Sequence, residues 1–375
     1  MKILNIILDG RMAGPQVRIA NMSGRLKETY NIDTLVVYPD KNSDSFTKLL
    51  KKNGVRHKSI NIRRLSKSIF GIVLWVFTFF PDVIKLIKII KKEDPDIIHC
   101  NGAWQWKGIV AGSFAGKKLV WHLNDTYLPF FVKIVFNILS RFVDVFISEG
   151  KKVTEYYLSS IKRNRVFEIQ APFDIGRFSP DQTDRNKEID SFPGRRIVTS
   201  GNVNYCKGLE YFIEAANILN MEFDDLQFFV VGGLYESQKQ YIKMLKKKVK
   251  SLKLTNVHFM GYMEDVPSVL KSADIYVCSS ITEASPQSVW EAMAMGKAIV
   301  STDVGSVSDF IVNGESGFII PVKTPRLLSE KIELLLRDSD LGEKFGRNAQ
   351  LSAHQNLSDI VISEKHFSVY KKLSE

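Results

Sequence analysis

Residues 274–301, DIYVCSSITEASPQSVWEAMAMGKAIVS, predict a strand, a loop, a helix and a second strand in succession. The short apolar run at 275–278 favours a buried strand. Ser285 suits a helix N-cap, and Pro286 suits the first helical position, where a missing N–H is no loss. Gly296 ends the helix before the second strand. This order is typical of an α/β protein with a parallel sheet.

The start of this predicted helix favours an anion. The backbone N–H groups of Gln287, Ser288 and Val289 would have no intrahelical acceptor and would carry partial positive charge. Glu291 shares their helix face, and Glu283 lies in the loop before the helix. A carboxylate repels a phosphate unless it binds hydroxyl groups, so the pattern suggests a sugar phosphate or a nucleotide. A capped surface helix with two solvated glutamates remains the alternative.

Further strand–helix units lie on both sides of this stretch. A strand at 3–8 leads into a loop with Gly14, and a small residue there allows a ligand to approach the backbone. His122 ends another predicted strand, at the edge where α/β sheets form ligand sites, although a lone histidine is more often structural. The loop 201–208 follows a strand and leads into a helix. We therefore predict an α/β fold throughout.

A polar segment divides these units into two groups. Residues 181–195, DQTDRNKEIDSFPGR, show little periodicity, and we predict a linker there. Strand–helix alternation then restarts, which predicts domains at 1–180 and 196–353, followed by a helical segment at 354–375. A chain of 375 residues suits two domains of ordinary size.

Positive charge is concentrated in the first predicted domain. Residues 1–180 contain 29 Lys and Arg against 15 Asp and Glu, whereas the remainder contains 23 against 26. This asymmetry predicts an anionic partner, either a membrane surface or nucleic acid. The basic segment 51–68 precedes an apolar, aromatic run at 69–80, and a second apolar helix is predicted at 129–142. Because spanning a bilayer needs about 20 residues, we predict contact with a membrane surface, or else burial against the sheet.

Composition points to a reducing compartment. The chain is 45% hydrophobic and 25% charged, which is typical of a soluble globular protein. Three widely separated cysteines argue against a disulfide framework or a zinc site. The Asp-x-Asp tripeptides at 94–96 and 338–340 are not predicted to bind a metal, because neither lies at the predicted ligand edge. We expect a cytoplasmic protein without a metal site.

Seven residues separate Glu283 from Glu291, and they are followed by Ala-Met-Ala-Met-Gly at 292–296 and Asp-Val-Gly at 303–305. This pattern resembles that of the retaining glycosyltransferases of family 4. These enzymes have the GT-B fold, in which two Rossmann-like domains face each other across a cleft. The resemblance extends over nearly the whole chain and implies this fold here. It also implies that the segment 354–375 crosses back to the first domain.

The resemblance implies roles for particular residues. Glu291 would hold the ribose hydroxyls of a donor, and the catalytic candidates are Glu283, near the transferred sugar, and His122, in contact with the donor sugar. Asn202 stands where the family has an arginine, so one of the two diphosphate cations is absent from this motif. The implied donor-binding residues are Gly14, Asn202, Lys207, Tyr262, Pro286, Gln287, Ser288, Val289 and Glu291.

The resemblance also implies an activity. It is that of a retaining, metal-independent hexosyl- or N-acetylhexosaminyltransferase, which uses a UDP- or GDP-linked sugar and no other cofactor. The acceptor would be a saccharide or lipid-linked saccharide in cell-surface polysaccharide biosynthesis, at the cytoplasmic face of an anionic membrane. The alternatives are another GT-B enzyme such as a nucleotide-sugar epimerase, or a catalytically silent partner subunit, which Asn202 favours. Nucleic-acid binding is supported by charge alone and is not expected.

Overall fold

A parallel β-sheet forms the centre of each half of the protein. The computed structural model describes residues 1–65, 68–125 and 129–375. The chain divides into two compact units, the first comprising Met1–Ala171 with Asp359–Glu375 and the second comprising Pro172–Ser358. Both units alternate strands with helices, as the sequence predicts.

The first unit has a seven-stranded parallel sheet among its described residues. Its strands are β1 (Lys2–Ile7), β2 (Asp33–Pro39), β3 (Arg56–Ile60), β4 (Ile97–Asn101), β5 (Lys118–Leu123), β6 (Val145–Ser148) and β7 (Val166–Glu168). Its first six helices are α1 (Gly14–Tyr30), α2 (Asp44–Lys52), α3 (Ile69–Glu93), α4 (Trp106–Phe114), α5 (Phe130–Leu139) and α6 (Lys151–Leu158). The strand order β3-β2-β1-β4-β5-β6-β7 reverses between β1 and β4. In parallel sheets, ligands bind at the carboxyl ends of the strands beside such a reversal.

The second unit, all of whose residues are described, has a six-stranded parallel sheet. Its strands are β8 (Arg195–Ser200), β9 (Leu226–Val231), β10 (Val257–Gly261), β11 (Ile275–Cys278), β12 (Ala298–Thr302) and β13 (Phe318–Ile320). Its helices are α7 (Lys187–Asp190), α8 (Leu209–Leu219), α9 (Lys239–Ser251), α10 (Val266–Ser272), α11 (Gln287–Ala294), α12 (Val307–Phe310), α13 (Pro325–Arg337) and α14 (Ser339–Asn356). The order β10-β9-β8-β11-β12-β13 reverses between β8 and β11.

The last helix, α15 (Asp359–Ser374), belongs to the first unit. Its Phe367 stacks on Tyr30 of α1 with ring centroids 4.2 Å apart. Asp359, at its first turn, forms an ion pair with Arg25 of α1. Ile362 lies in the same buried cluster as residues of β1, β4 and β5. The helix therefore completes the core of the first unit.

The predicted boundary and linker are wrong. The first of the two segments that form the first unit ends at Ala171, and residues 181–195 fold as part of the second unit. The side chain of Asn186 accepts hydrogen bonds from two N–H groups in the first turn of α7, and Ile189 in that helix is fully buried in the second unit's core. One buried isoleucine in a polar stretch produces no periodic signal, so the sequence pattern alone could not reveal it.

Helix α3 is much longer than predicted. The sequence predicts an apolar run at 69–80, but the structure has one 25-residue helix that continues through Pro81. Burial of Val83, Leu86 and Ile90 in the second half of the helix offsets the roughly 3 kcal/mol cost of an internal proline. By length and composition α3 could cross a membrane, and 17% of its most apolar window is buried.

Candidate active site

Two loops of the second unit meet at the strand-order reversal between β8 and β11. Lys207 lies in the loop after β8 and Glu283 in the loop after β11, and the Lys207 Nζ is 2.8 Å from the Glu283 Oε1. The Ser280 hydroxyl donates a hydrogen bond of 3.0 Å to the same carboxylate oxygen. A cation and a carboxylate that are far apart in the chain thus form an ion pair at the edge where parallel α/β sheets bind ligands.

Backbone contacts hold these two loops together. The Ile281 N–H donates to the Cys206 carbonyl at 2.8 Å, and the Ser279 hydroxyl donates to the Lys207 carbonyl at 3.0 Å. Gly208 has a φ of 56°, and a Cβ there would overlap the Ser279 carbonyl oxygen. The residue after Lys207 must therefore be glycine for the loops to approach this closely.

The ion pair is charged and accessible. Burial alone would lower the pKa of Lys207, but the neighbouring Glu283 carboxylate outweighs burial and the net shift is upward. The Lys207 and Glu283 side chains are 20% and 19% exposed. A ligand phosphate could therefore reach the ammonium group, and a ligand hydroxyl could reach the carboxylate.

Helix α11 begins one residue later than predicted. Pro286 occupies the N-cap position and Gln287 the first helical position. The Val289 N–H donates to the Pro286 carbonyl at 2.8 Å, so the prediction that it is free for an anion is wrong. Ser285 precedes the cap, and its hydroxyl accepts a hydrogen bond of 3.0 Å from the indole N–H of Trp290. The N–H groups of the first two helical residues still lack an intrahelical acceptor.

Glu291 lies one turn along α11. Burial raises its pKa to about 7, against the opposing charges of Arg177 and Lys207. A carboxyl group with this pKa can accept hydrogen bonds from hydroxyl groups when ionised and can donate one when protonated. Arg177 was not identified from the sequence, because it lies in a stretch assigned to the end of the first domain and matches no motif.

The remaining candidates of the second unit lie outside the ion pair. Asn202 is exposed, and its carbonyl accepts a hydrogen bond of 3.0 Å from the Asn204 side chain. Ser288 hydrogen bonds to the buried Tyr276 hydroxyl. Tyr262 is 73% exposed and follows the edge strand β10, two strands away from β8. The structure therefore does not bring Tyr262 to Lys207 within the second sheet.

The first unit places a buried polar network at its own strand-order reversal. His122, on β5, contacts the Arg18 guanidinium, and its Nδ1 is 3.2 Å from the Nε2 of His99. Arg18 also donates a hydrogen bond of 2.8 Å to Asn101 Oδ1. Its Nε lies 3.4 Å from the Oε1 of Glu149. These side chains come from α1, β4, β5 and the end of β6, so only the fold brings them together.

Burial controls protonation in this network. Burial lowers the pKa of His99 and His122 well below its usual range, and the charge of Arg18 acts in the same direction. Burial also raises the pKa of Glu149 to about 7, against the charge of Arg18. Both imidazoles are therefore neutral at pH 7. The Tyr370 hydroxyl also belongs to this network, since it lies 2.6 Å from the His99 Nδ1.

The candidates of the first unit differ in accessibility. Gly14 is exposed and begins α1, one turn before Arg18. His122 has no exposed surface. Arg18 and Glu149 were not identified from the sequence, although Glu149 directly follows β6 and so carries the same positional signal as His122. The predicted contact of His122 with a donor sugar stays a prediction.

Within the described ranges, no group of three or more His, Cys, Asp or Glu could hold a metal ion. Lys207 and the start of α11 place positive charge at the reversal of the second sheet.

The chain is similar to known glycosyltransferases in sequence and in fold. Residues 181–352 match the family model described as Glycosyl transferases group 1. The chain is 26% identical over 371 residues to the N,N'-diacetylbacillosaminyl-diphospho-undecaprenol alpha-1,3-N-acetylgalactosaminyltransferase of Campylobacter jejuni, with 91% of each chain covered. A glycosyltransferase from Rickettsia africae has a TM-score of 0.86 at 20% identity, covering 99% of this chain and 98% of the other. HepE from Anabaena, in complex with UDP, has a TM-score of 0.85 at 19% identity, covering 99% and 100%.

The structural neighbours establish the fold. The protein has two parallel-sheet, Rossmann-like α/β units of the GT-B type, as the sequence predicts. The family match and the Campylobacter relative support a glycosyltransferase.

Proposed function

We propose that this protein transfers a sugar from a nucleotide-sugar donor to a saccharide or lipid-linked saccharide, with retention of anomeric configuration and without a divalent metal. The observation that carries the proposal is the accessible ion pair of Lys207 and Glu283 beside the start of α11. Positive groups fixed at this position would stabilise the negative charge that grows on the diphosphate as its bond to the sugar breaks.

Each polar group has a role in this proposal. Lys207 and the N–H groups of Gln287 and Ser288 hold the diphosphate, and Glu291 binds the ribose hydroxyls. When a phosphate of the donor binds the Lys207 ammonium group, the Glu283 carboxylate can accept hydrogen bonds from the transferred sugar. The bond between the anomeric carbon and the diphosphate oxygen breaks, and the diphosphate leaves with the bonding electrons. The acceptor hydroxyl oxygen bonds to that carbon, and its proton passes to the departing diphosphate.

The finer assignments rest on resemblance. Retention and the hexosyl or N-acetylhexosaminyl class follow from the spacing of Glu283 and Glu291 and the motifs around it. UDP or GDP is proposed as the nucleotide, and UDP comes first because a structural neighbour binds it. The coupling constant of the anomeric proton in the product measures retention, and an inverted product would exclude it without excluding transfer.

A lipid-linked acceptor is proposed for the first unit. The Campylobacter relative is named for an acceptor on diphospho-undecaprenol. Residues 1–180 carry nearly twice as many Lys and Arg as Asp and Glu, which favours an anionic surface. We therefore propose a cytoplasmic protein, peripheral on the inner face of the membrane, that acts in cell-surface polysaccharide assembly.

Thermal unfolding with UDP, GDP, ADP and TDP, each with and without a metal chelator, tests the donor site. One nucleotide should raise the Tm of the wild type, and the chelator should not change the shift. The Glu291→Ala variant should lose the shift. The matched control is Glu236→Ala in the same unit, because Glu236 is an exposed glutamate paired with Lys239, and this variant should keep the shift.

The alternatives predict different results. Absence of a shift with every nucleotide would contradict the donor site and favour a silent partner subunit. Release of an altered sugar nucleotide in the absence of acceptor would favour an epimerase. A shift that the chelator abolishes would leave the donor site in place and exclude metal independence.

A further inference from the structure

The first half of α3 exposes a continuous apolar surface. Residues 69–81 contain no charged side chain. Phe70, Phe77 and Phe80 are 75%, 76% and 69% exposed. The exposed apolar residues recur every three or four positions and so share one side of the helix. We name this side the outer face of α3; it comprises Ile69, Phe70, Val73, Val76, Phe77, Phe80 and Ile84.

The opposite side of the same helix half is anchored to the protein. Trp75 packs against Trp106 of α4 with ring centroids 5.7 Å apart. At the middle of α3, Asp82 forms a 2.8 Å ion pair with the fully buried Lys107 of α4. The outer face is therefore held in place, and the helix is apolar on both sides. A helix with this composition is expected to be covered, either by protein or by lipid.

The outer face lies at the ligand-side edge of the first sheet. Helix α3 connects the carboxyl end of β3 to the amino end of β4, so it begins at the carboxyl edge. It is about 37 Å long, whereas β4 is about 17 Å long. The residues that it buries, from Asp82 to Ile90, all lie in its second half. The first half therefore extends beyond the sheet, on the edge that carries Asn101 and His122.

Positive charge accompanies this surface. The loop from β3 to α3 exposes Arg63 and Arg64, of which Arg64 also pairs with Asp9. Lys51, Lys52 and Arg56 lie at the amino edge of the sheet, away from the outer face. Lys67, which belongs to the predicted basic segment, lies outside the described residues. On α5, which contacts α4, Lys133 is exposed beside Ile134, which is 47% exposed. Apolar side chains with nearby cations match the interface of an anionic bilayer.

We propose that the outer face of α3 inserts into the interfacial layer of an anionic membrane, with the helix lying along the surface. Crossing the bilayer would require the second half, which buries Val83, Leu86 and Ile90 and carries Lys85 and Lys88, to leave the protein. This placement deepens the proposed function, because it brings the bilayer to the edge of the first sheet where a lipid-linked acceptor would arrive. The membrane contact itself does not depend on donor binding.

Flotation of the full-length protein with vesicles tests the proposal. One set of vesicles contains phosphatidylcholine alone, and the other adds phosphatidylglycerol. The wild type should float with the anionic vesicles, and the combined substitution Phe70→Ser, Phe77→Ser and Phe80→Ser should weaken partitioning at least about 10-fold, because three exposed phenylalanines are lost. The matched control is the pair Met221→Ser and Leu351→Ser, since these side chains are 77% and 60% exposed in the second unit. It should float like the wild type.

Three outcomes would overturn this proposal. The first is failure of the wild type to float with anionic vesicles, and the second is equal flotation of the triple variant. The third is a wild-type dimer in lipid-free sedimentation that the triple variant dissociates, which would assign the outer face to self-association. The nucleotide-induced shift in Tm should be unchanged in the triple variant. Loss of flotation with that shift retained separates the membrane surface from the donor site and from unfolding.

Discussion

Each sheet has an ion pair near its strand-order reversal, and the two pairs differ in exposure. In the second unit, the side chains of Lys207 and Glu283 are 20% and 19% exposed. In the first unit, the side chains of Arg18 and Glu149 are 3% and 8% exposed. A partly exposed ion pair can exchange its partner for a ligand at a lower cost than a fully buried pair. The reason is that an unpaired buried charge is expensive. The same topological feature therefore presents charge to a ligand in one unit and organises neutral histidines in the other.

Removing the accessible cation should have the largest effect. Lys207→Ala should lower kcat/KM for sugar transfer roughly 10²–10³-fold, because one preorganised group that stabilises the leaving diphosphate is lost. Steady-state kinetics measure this. Lys239→Ala, which removes an exposed lysine of the same unit, should leave kcat/KM unchanged. A change of less than twofold in Lys207→Ala would place the diphosphate elsewhere.

The pH dependence of stability tests the buried pair. In the folded protein the pKa of Glu149 is about 7, above the usual 4.5, so the stability it contributes is complete below pH 4.5 and is lost as pH rises through 7. Between about pH 4.5 and about pH 8, the free energy of unfolding of the wild type should fall by up to about 3 kcal/mol relative to Glu149→Gln. Urea unfolding across this range measures the difference.

The lowered pKa values of His99 and His122 produce the opposite trend in both proteins, so the difference reports on Glu149 together with its contact to His122. Glu236→Gln, at an exposed position, should show no such trend. If the free energy of unfolding of the wild type instead rose with pH relative to that of Glu149→Gln, Glu149 would be ionised and stabilising at neutral pH.

Alanine substitutions at Gly305 and Gly314 test how closely the loop that carries Glu283 is packed. Gly305 and Gly314 both have positive φ, of 53° and 81°. A Cβ on Gly305 would overlap the carbonyl oxygen of Ala284, next to Glu283, whereas nothing lies within 4 Å of a Cβ on Gly314. Alanine should cost about 1 kcal/mol at Gly314 and about 1–3 kcal/mol more at Gly305. Equal losses of stability in urea would contradict the crowding at Gly305.

The smallest expected effect concerns the edge of the buried network. Tyr370→Phe removes the hydroxyl that lies 2.6 Å from the His99 Nδ1 and should cost about 1 kcal/mol of unfolding free energy. Tyr30→Phe, in which the ring still stacks on Phe367, is the control and should cost less. Nucleotide binding should be unchanged in both variants, as thermal shift can measure. A loss of binding in Tyr370→Phe would link the network to the donor site.

Local patterns were sufficient for the fold class and for several candidate residues. The alternation of strands and helices predicts the α/β class, the family resemblance implies the GT-B fold, and the fold is confirmed. Glu283 was identified from its place before a helix start and Lys207 from the family resemblance, and the structure brings them into contact. Their roles in donor binding stay predictions. The linker was misplaced because a single buried residue, Ile189, has no local signal.

The sequence by itself determined the strand–helix units, the anion-favouring start of α11 and the basic character of the first unit, because these depend on neighbours within a few residues. Only the tertiary structure decided that Arg18, His122 and Glu149 are buried together, that the Val289 N–H is occupied, and that α3 runs through Pro81 with an exposed outer face. Burial and pairing depend on groups that are distant in the chain. The same residue types can therefore become a ligand site, a buried framework or a membrane surface according to what the fold packs against them.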